Sequence, residues 1–220
     1  MDFSLCLASQ ASPYPPMPYF DPSHPLDSHL RNLPHWQQGE VPIFLTWSLI
    51  DSLPEAATTK LKARRDHWLA SHPKPWTEEV EKEYYVKFAN PINEMLDRGY
   101  GECILRDPQI AAIVGEALLS NHEKKYRLHS FVIMPNHVHI LVTLFDGQSF
   151  SKITQSWKGS SARYLNLKRG KSGTVWQQES WDRLIRSKVH FDYVIRYIRE
   201  NPARLPPHTF LLWQNTEHGL

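Results

Sequence analysis

The sequence predicts one α+β domain, a ferredoxin-like antiparallel sheet with packed helices. A chain of 220 residues with 41% hydrophobic residues is long enough for one domain with a full core. Segments with strand and helix signals succeed one another in the order strand, helix, hairpin, helix, strand, helix. That order suits an antiparallel sheet with helices on its faces, because every apolar surface then finds a partner.

The N-terminal end is rich in proline. Seven of the 17 prolines fall within residues 1–34, and proline neither continues a helix nor donates a hydrogen bond in a central strand. We therefore expect residues 1–34 to form a disordered arm and residues 35–205 to form the domain. Residues 206–220 are predicted to be a short C-terminal tail.

The domain opens with a strand and a long helical insertion. The segment from Pro42 to Asp51 is β-branched and aromatic, and it has the length of a strand. Residues 55–100 then carry helical signals, among them Thr77 followed by two glutamates, which is typical of a helix N-terminus. The prolines between residues 72 and 76 separate two helices. The pattern leaves open whether this insertion clamps a substrate or masks a site.

The remaining elements are predicted from apolar spacing and turn residues. Pro135 and Asn136 form a turn-prone pair between two apolar segments, which predicts an antiparallel hairpin. Apolar residues at helical spacing predict three further helices. The predicted elements are a helix from Asp107, strands Tyr126–Met134 and Val138–Phe145, a helix Phe150–Lys168 ending near Gly170, one or two short strands within 174–185, and a last helix Lys188–Asn201 stopping at Pro202.

Two histidines lie one residue apart in the second strand of the hairpin. Because side chains alternate across a strand, His137 and His139 point to one face and Val138 points to the other. Two imidazoles placed in this way suit a single divalent metal ion. A structural pair, hydrogen-bonded beneath a helix, explains the same spacing. Zinc is poorly supported, because no Cys-x-x-Cys and no clear third His or Cys ligand accompanies the pair.

The last predicted helix carries a second pair of polar side chains. Tyr197 and Asn201 are four residues apart, so they lie on one face of the helix, one turn from each other. The amide oxygen of Asn201 is a ligand for a hard cation, and the phenol of Tyr197 is a nucleophile when a base or a metal assists it. The alternative is that Tyr193 and Tyr197 are core aromatics and that Asn201 caps the helix before Pro202.

Positive charge is concentrated between residues 147 and 178. This stretch of 32 residues has no acidic residue, although the chain has a net charge of only +2. Such a surface attracts phosphate, and aromatic residues within it offer faces on which bases stack. A solvated helix face is the alternative. The predicted nucleic-acid contacts are Lys152, Lys158, Arg163, Lys168, Arg169, Lys171 and Trp176, continued by Arg183 and Arg186, with Trp157 and Tyr164 as further stacking faces.

Composition restricts the class of protein. The sequence has no run of about 18 apolar residues that would span a membrane, and its first residues lack the pattern of a secretion signal. The two cysteines lie far apart, at positions 6 and 103. We therefore expect a cytoplasmic protein without a membrane partner.

Three motifs together resemble those of the single-tyrosine HUH transposases, most closely the REP-associated tyrosine transposase branch. They are MPNHVHILV at 134–142, GTVWQQESWDRLIR at 173–186 and YIRENPARL at 197–205. The similarity extends from about residue 34 to residue 202, although the helical insertion matches poorly. The resemblance implies that His137 and His139 are metal ligands, that Asn201 is a third ligand, and that Tyr197 is the nucleophile.

The resemblance also implies a function. It is metal-dependent nicking and strand transfer of single-stranded DNA at hairpin sites, through a 5′-phosphotyrosine intermediate. We expect Mg²⁺ or Mn²⁺ rather than Zn²⁺, since the transfer has to be reversible and Asn201 supplies a hard oxygen ligand. A homodimer is compatible with the resemblance, because members of the wider family place the tyrosine helix on a partner subunit.

Two alternatives to this function stay open at the level of sequence. One is a catalytically silent protein, derived from a transposase, that binds hairpin DNA or RNA. The intact set of His137, His139, Tyr197 and Asn201 favours the enzyme, because a pure binding protein need not keep it. The other is a metal-dependent hydrolase that uses an activated water and leaves no protein–DNA adduct.

Overall fold

The strands form one large sheet and one small ribbon. A computed structural model describes residues 17–25, 27–30, 34–73 and 76–216. Within this part of the chain, β1 (Asp27–Leu30) and β2 (Pro34–Gln37) pair as a two-stranded antiparallel ribbon. The five strands of the large sheet are β3 (Ile43–Ser48), β4 (Tyr126–Ile133), β5 (His137–Leu144), β6 (Trp181–Leu184) and β7 (Leu211–Gln214).

The large sheet is antiparallel throughout, in the order β6-β3-β5-β4-β7. Its first four strands have the order of a ferredoxin-like plait, with β3 and β5 at the centre. The hairpin of β4 and β5 turns at Pro135 and Asn136, as predicted. The predicted fold class, α+β with an antiparallel sheet and packed helices, is confirmed.

Helices cover both faces of the sheet. They are α1 (Glu55–Ser71), α2 (Glu78–Tyr84), which continues through a π-helical turn (Tyr85–Ala89) into α3 (Asn90–Asp97), then α4 (Pro108–Leu119), α5 (Phe150–Arg169) and α6 (Lys188–Glu200). Short 3₁₀ turns cover Ile104–Arg106 and Asn201–Arg204. Within the described ranges no helix is long and apolar enough to cross a membrane.

The two faces of the sheet bury different clusters, because side chains alternate along each strand. Leu45, Val138 and Ile140 contribute to the main core together with α4 and α5. The opposite face packs against α6 through a smaller cluster that includes Leu141 and Ile198. The helical insertion has an aromatic cluster of its own, formed by Trp68, Trp76, Tyr84 and Phe88. The insertion is therefore a packed unit and not a loose loop.

Both ends of the chain differ from their predictions. Residues 1–16, 26 and 31–33 of the predicted arm lie outside the described residues. In the described portion, Phe20 is buried in the main core and its backbone N–H bonds to Ile185 O at 2.9 Å. The predicted tail contributes β7, which pairs with β4 at the edge of the sheet. Segments at both ends pack against distant strands, which local sequence pattern does not report.

Candidate active site

Strand β5 presents the histidine pair toward α6. Every residue of β5 is buried, and Val138 joins the main core, so His137 and His139 point to the other face, as the alternation predicts. Their cross-strand partners on β3 are Ser48 and Thr46. The imidazoles are almost completely buried, with exposures of 1% and 0%.

The asparagine of the turn fixes the tautomer of His137. The Asn136 side-chain amide donates to Leu96 O at 3.2 Å and to Tyr100 O at 3.1 Å, so its Oδ1 has to accept. That oxygen lies 2.7 Å from His137 Nδ1. His137 therefore carries its proton on Nδ1 and has a lone pair on Nε2, which is the state a metal ligand needs.

His139 is hydrogen-bonded to a hydroxyl that can be either the donor or the acceptor. Thr46 Oγ1 lies 2.7 Å from His139 Nδ1 and can donate or accept. The Nε2 atoms of His137 and His139 face each other at 3.1 Å. With the hydroxyl donating, His139 Nε2–H donates to His137; with the hydroxyl accepting, both Nε2 lone pairs are free for a cation.

Tyr197 reaches the histidine pair from α6. Its hydroxyl lies 3.5 Å from His139 Nε2, and the two rings contact edge to face at 5.2 Å. Phe44 on β3 stacks on His139 and touches the Tyr197 ring with its edge, so one aromatic side chain supports both groups. Tyr193 lies one turn earlier on α6 and is 59% exposed. Tyr197 is thus the tyrosine that the fold brings to the histidines, and both come from one chain.

Asn201 offers an acceptor that has no partner. It comes directly after α6, one turn after Tyr197, and its backbone N–H bonds to Tyr197 O. Its Oδ1 is buried and has no hydrogen-bond partner in the described part of the chain. A buried acceptor of this kind is costly unless a ligand satisfies it. Asn201 does occupy the C-cap position of α6, as the helix-cap alternative expects, but it caps the helix through its backbone N–H and leaves the side-chain oxygen unused.

Burial keeps the two imidazoles and the phenol of the site uncharged. Burial lowers the pKa of His137 to about 3, and burial together with His137 lowers the pKa of His139 well below its usual value. Burial, followed by the charge of Asp97, raises the pKa of the Tyr197 phenol, against a smaller opposing effect of the Asn201 amide. At neutral pH both imidazoles are therefore neutral and the phenol keeps its proton.

The donor set fits a divalent cation. Two imidazole Nε2 atoms at 3.1 Å and an unpartnered amide oxygen are the ligand types that first-row metals and Mg²⁺ accept. The described residues contain no group of three or more His, Cys, Asp or Glu side chains placed to hold a metal. The third ligand predicted from the sequence is the Asn201 amide, which a search restricted to those four residue types does not include.

Sequence reasoning missed Asp97, which the helical insertion brings to this site. Asp97 is the last residue of α3, and its Oδ1 lies 3.9 Å from His137 Nε2. Burial, followed by the charge of Glu94, raises the pKa of the Asp97 carboxyl. The three predicted ligands are neutral, so this carboxylate adds the negative charge that they lack. The sequence signal is weak, because Asp97 lies in the segment that resembles the family least.

Several predicted nucleic-acid contacts are engaged within the protein. Trp176 is 4% exposed and donates to Ser161 Oγ at 3.0 Å, so it is a core residue and not a stacking face; Trp157 is likewise buried. Arg183 and Arg186 both pair with Glu81 of α2. Their guanidinium groups also lie over the rings of Tyr85 and Phe20, at 4.4 and 4.3 Å. These corrections share one cause, which is that partners come from segments distant in sequence.

The rest of the basic stretch divides into paired and exposed side chains. Arg169 and Lys171 both contact Glu102, at 2.5 and 3.4 Å, and Lys158 donates to Gln178 O at 3.1 Å. Along α5 the exposed basic residues without an ion pair in the described structure are Lys152, Arg163 and Lys168. Tyr164, which is 54% exposed, lies among them. This exposed group is what remains of the predicted DNA surface.

Comparison with known proteins gives one informative match. Residues 109–201 match the family model described as "Transposase IS200 like". A search of curated proteins finds no match. Among solved structures, the chain is similar to a REP-associated tyrosine transposase bound to a REP hairpin, with 16% identity, a TM-score of 0.45, and coverage of 81% of this chain and 74% of that chain.

A second similar structure is a putative transposase from Deinococcus radiodurans R1. It has 17% identity and a TM-score of 0.30, and the match covers 75% of this chain and 93% of that chain. Both TM-scores lie below 0.5, so neither structure assigns this chain to a family. The family match covers less than half of the chain and agrees with the resemblance drawn from the motifs. Over residues 109–201, which contain both histidines, the tyrosine and the asparagine, the chain is similar to the IS200-like transposases.

Proposed function

We propose that this protein nicks single-stranded DNA beside a hairpin and transfers the strand, through a 5′-phosphotyrosine at Tyr197 and with Mg²⁺ or Mn²⁺ as cofactor. The observation that carries the proposal is the 3.5 Å approach of the Tyr197 hydroxyl to His139, beside an Asn201 oxygen without a partner. The match of residues 109–201 to the IS200-like transposase model supports DNA transposition as the setting.

The chemistry is a balanced exchange of one ester for another. The Tyr197 oxygen attacks the phosphorus in line with the leaving 3′ oxygen, loses its proton, and forms the tyrosine–phosphate bond. The bond from phosphorus to the 3′ oxygen breaks, and that oxygen leaves as a 3′-hydroxyl. A 3′-hydroxyl of a second strand then attacks the phosphotyrosine and releases Tyr197. The phosphoester is conserved throughout, so rejoining requires no ATP.

The protein groups of the site position the reactants. His137, His139 and Asn201 would hold the cation, and Asn136 and Thr46 would orient the two imidazoles from behind. A cation held there would supply positive charge that stabilises the negative charge growing on the scissile phosphate in the transition state. Phe44 limits the motion of the Tyr197 ring through an edge contact at 5.9 Å. The cofactor is thus expected to act as a fixed charge, while the nucleophile belongs to the protein.

A covalent-adduct assay tests the proposal. A single-stranded hairpin oligonucleotide with randomised flanks and a 3′ label is incubated with the protein and Mn²⁺, because a 5′-phosphotyrosine keeps the 3′ part of the strand. We expect a labelled protein band that survives denaturing electrophoresis and disappears in Tyr197→Phe. Tyr193→Phe is the matched control, since that exposed tyrosine lies one turn away on the same helix, and it should keep the adduct.

Three outcomes distinguish the competing functions. Loss of the adduct in Tyr193→Phe and its persistence in Tyr197→Phe would overturn the assignment of the nucleophile. Cleavage without an adduct would indicate a hydrolase that uses water. Hairpin binding with neither adduct nor cleavage would indicate the silent binding protein.

A further inference from the structure

A cavity lies beside the histidine pair, between the sheet and the helical insertion. Its volume is about 280 Å³, and its lining includes Thr46 and Ser48 of β3. These two residues are the register partners of His139 and His137 on β5. Directly opposed residues of an antiparallel pair lie about 5 Å apart and share a face of the sheet. The cavity and the histidines therefore share one face and are immediate neighbours.

The helical insertion forms the walls of this cavity. Helix α1 contributes the side chains of Thr58, Leu61, Lys62 and Arg65, and α3 contributes Ile92 and Leu96, the residue before Asp97. The segment that leads into β6 closes the remaining side with Gln177, Gln178, Glu179 and Trp181. The insertion thus contributes a wall of the cavity and a carboxylate beside the histidines.

The lining is chemically mixed. Apolar and aromatic groups such as Leu61, Ile92 and Trp181 stand beside two side-chain amides. The charged residues of the lining are Lys62, Glu179 and Arg65, and Arg65 is paired with Asp66 at 2.9 Å. A phosphate carries only negative charge and acceptor oxygens, so a carboxylate in the wall disfavours it. A nucleobase combines an apolar face with donors and acceptors on its edge, and amide and carboxylate side chains pair with such edges.

The size of the cavity also selects the ligand. Pockets for drug-sized molecules begin at about 300 Å³, so a cavity of about 280 Å³ has room for one base and none for a hairpin stem. Bases of a single strand are unstacked and can enter such a pocket.

We infer that this cavity binds one unpaired nucleobase, from a nucleotide next to the bond that the active site cleaves, and so reads sequence at that position. The inference rests on the proposed function. Glu179 accepts hydrogen bonds from amino groups, so a base with an exocyclic amino group is bound in preference to thymine, which has none. The helical insertion then contributes to the choice of cleavage site.

Binding of single nucleotides tests the cavity independently of DNA cleavage. The probes are dAMP, dCMP, dGMP and dTMP, added to the Tyr197→Phe protein and followed by saturation-transfer NMR. Thr58→Trp fills the cavity, and Gln178→Ala removes an amide from its exposed rim. Ala63→Trp is the control, because Ala63 is exposed on the same helix and does not line the cavity. Thermal melting confirms that each variant is folded.

We expect at least one amino-bearing nucleotide to bind about tenfold or more tightly than dTMP, as one good base contact provides. Thr58→Trp should abolish this binding, Gln178→Ala should reduce the preference, and Ala63→Trp should change neither. Equal binding of all four nucleotides, or unchanged binding in Thr58→Trp, would overturn the inference.

The adduct assay separates this inference from the proposed function. If Thr58→Trp abolishes nucleotide binding in the Tyr197→Phe protein, and the protein with Tyr197 intact forms no adduct with any hairpin, the cavity is supported and the nickase is refuted. An adduct that Thr58→Trp forms with the same rate and the same base at the cleavage site would support the nickase and refute the cavity.

Discussion

Replacing Asn136 with alanine should weaken both the fold and the metal site. The Asn136 side chain is 1% exposed, donates to Leu96 O and Tyr100 O, and accepts from His137 Nδ1 at 2.7 Å. Asn136→Ala leaves the His137 N–H without a partner in a buried place, and it also removes two bonds that tie the end of the helical insertion to the hairpin.

The loss of folding stability in Asn136→Ala can be calculated from these hydrogen bonds. A buried donor or acceptor left unsatisfied costs about 1–3 kcal/mol. Leu96 O keeps a second bond, from Gly99 N at 3.0 Å, and Tyr100 O keeps a contact from Cys103 Sγ at 3.7 Å, so the buried His137 N–H carries most of the loss. We expect about 3 kcal/mol less stability, which for a chain of this size lowers Tm by roughly 6–12 °C. Mn²⁺ affinity should fall about 10- to 100-fold, as for other groups that orient a metal ligand.

Thermal melting without metal and calorimetric titration with Mn²⁺ measure the two effects. Asn166→Ala is the matched control, because Asn166 makes one exposed bond to Gly173 O at 2.8 Å and lies far along the chain from the histidines. It should cost less than about 1 kcal/mol and leave Mn²⁺ binding unchanged. Wild-type Mn²⁺ affinity in a folded Asn136→Ala protein would refute the reasoning that this side chain fixes the His137 tautomer.

Other parts of the structure give three more predictions. Asp97→Asn should lower Mn²⁺ affinity about tenfold in calorimetric titrations, because it removes the charge beside three neutral ligands, whereas Glu94→Gln, one turn earlier, should change it much less. Lys168→Gln should reduce the slope of log affinity for single-stranded DNA against log salt by about 0.7, measured by fluorescence anisotropy. Gly101→Ala should cost more than about 1 kcal/mol in urea unfolding, because its φ is +88° and an added Cβ would lie 2.7 Å from Asp51 O.

Each of these predictions has a contradicting result. Equal losses of Mn²⁺ affinity in Asp97→Asn and Glu94→Gln would show a general effect of charge and no specific role for Asp97. An unchanged salt slope in Lys168→Gln would show that Lys168 of α5 does not contact DNA. An equal change in Lys60→Gln on α1 would show that the effect is not specific to α5. A Gly101→Ala protein as stable as the wild type would show that the loop at Asp51 relaxes without cost.

The sequence predicts the histidine pair and the last helix well, for identifiable physical reasons. The two-residue period of a strand puts His137 and His139 on one face, and the four-residue spacing puts Tyr197 and Asn201 on one side of a helix. Both patterns depend only on the local backbone geometry, so tertiary contacts elsewhere in the chain do not change them. That the two pairs meet is a property of the sheet order and of α6 packing on one face, and only the resemblance indicated it.

Distant partners explain what the sequence could not predict. Glu81 is about 100 residues from Arg183 and Arg186, and it engages both. Trp176 becomes a core residue because its indole meets Ser161 of α5. Asp97 reaches the site because the insertion packs beside β3. Charge patterning along the chain reports the sign of a segment, but it does not report which of its charges tertiary contacts neutralise.

The central claim is that the two imidazoles and the Asn201 amide converge on one cation next to Tyr197. A crystal of the protein soaked in Mn²⁺, with anomalous scattering recorded for manganese, measures this directly. We expect one strong anomalous peak within bonding distance of His137 Nε2, His139 Nε2 and Asn201 Oδ1. A peak elsewhere, or a peak at the histidines with the Asn201 side chain turned away, would contradict it.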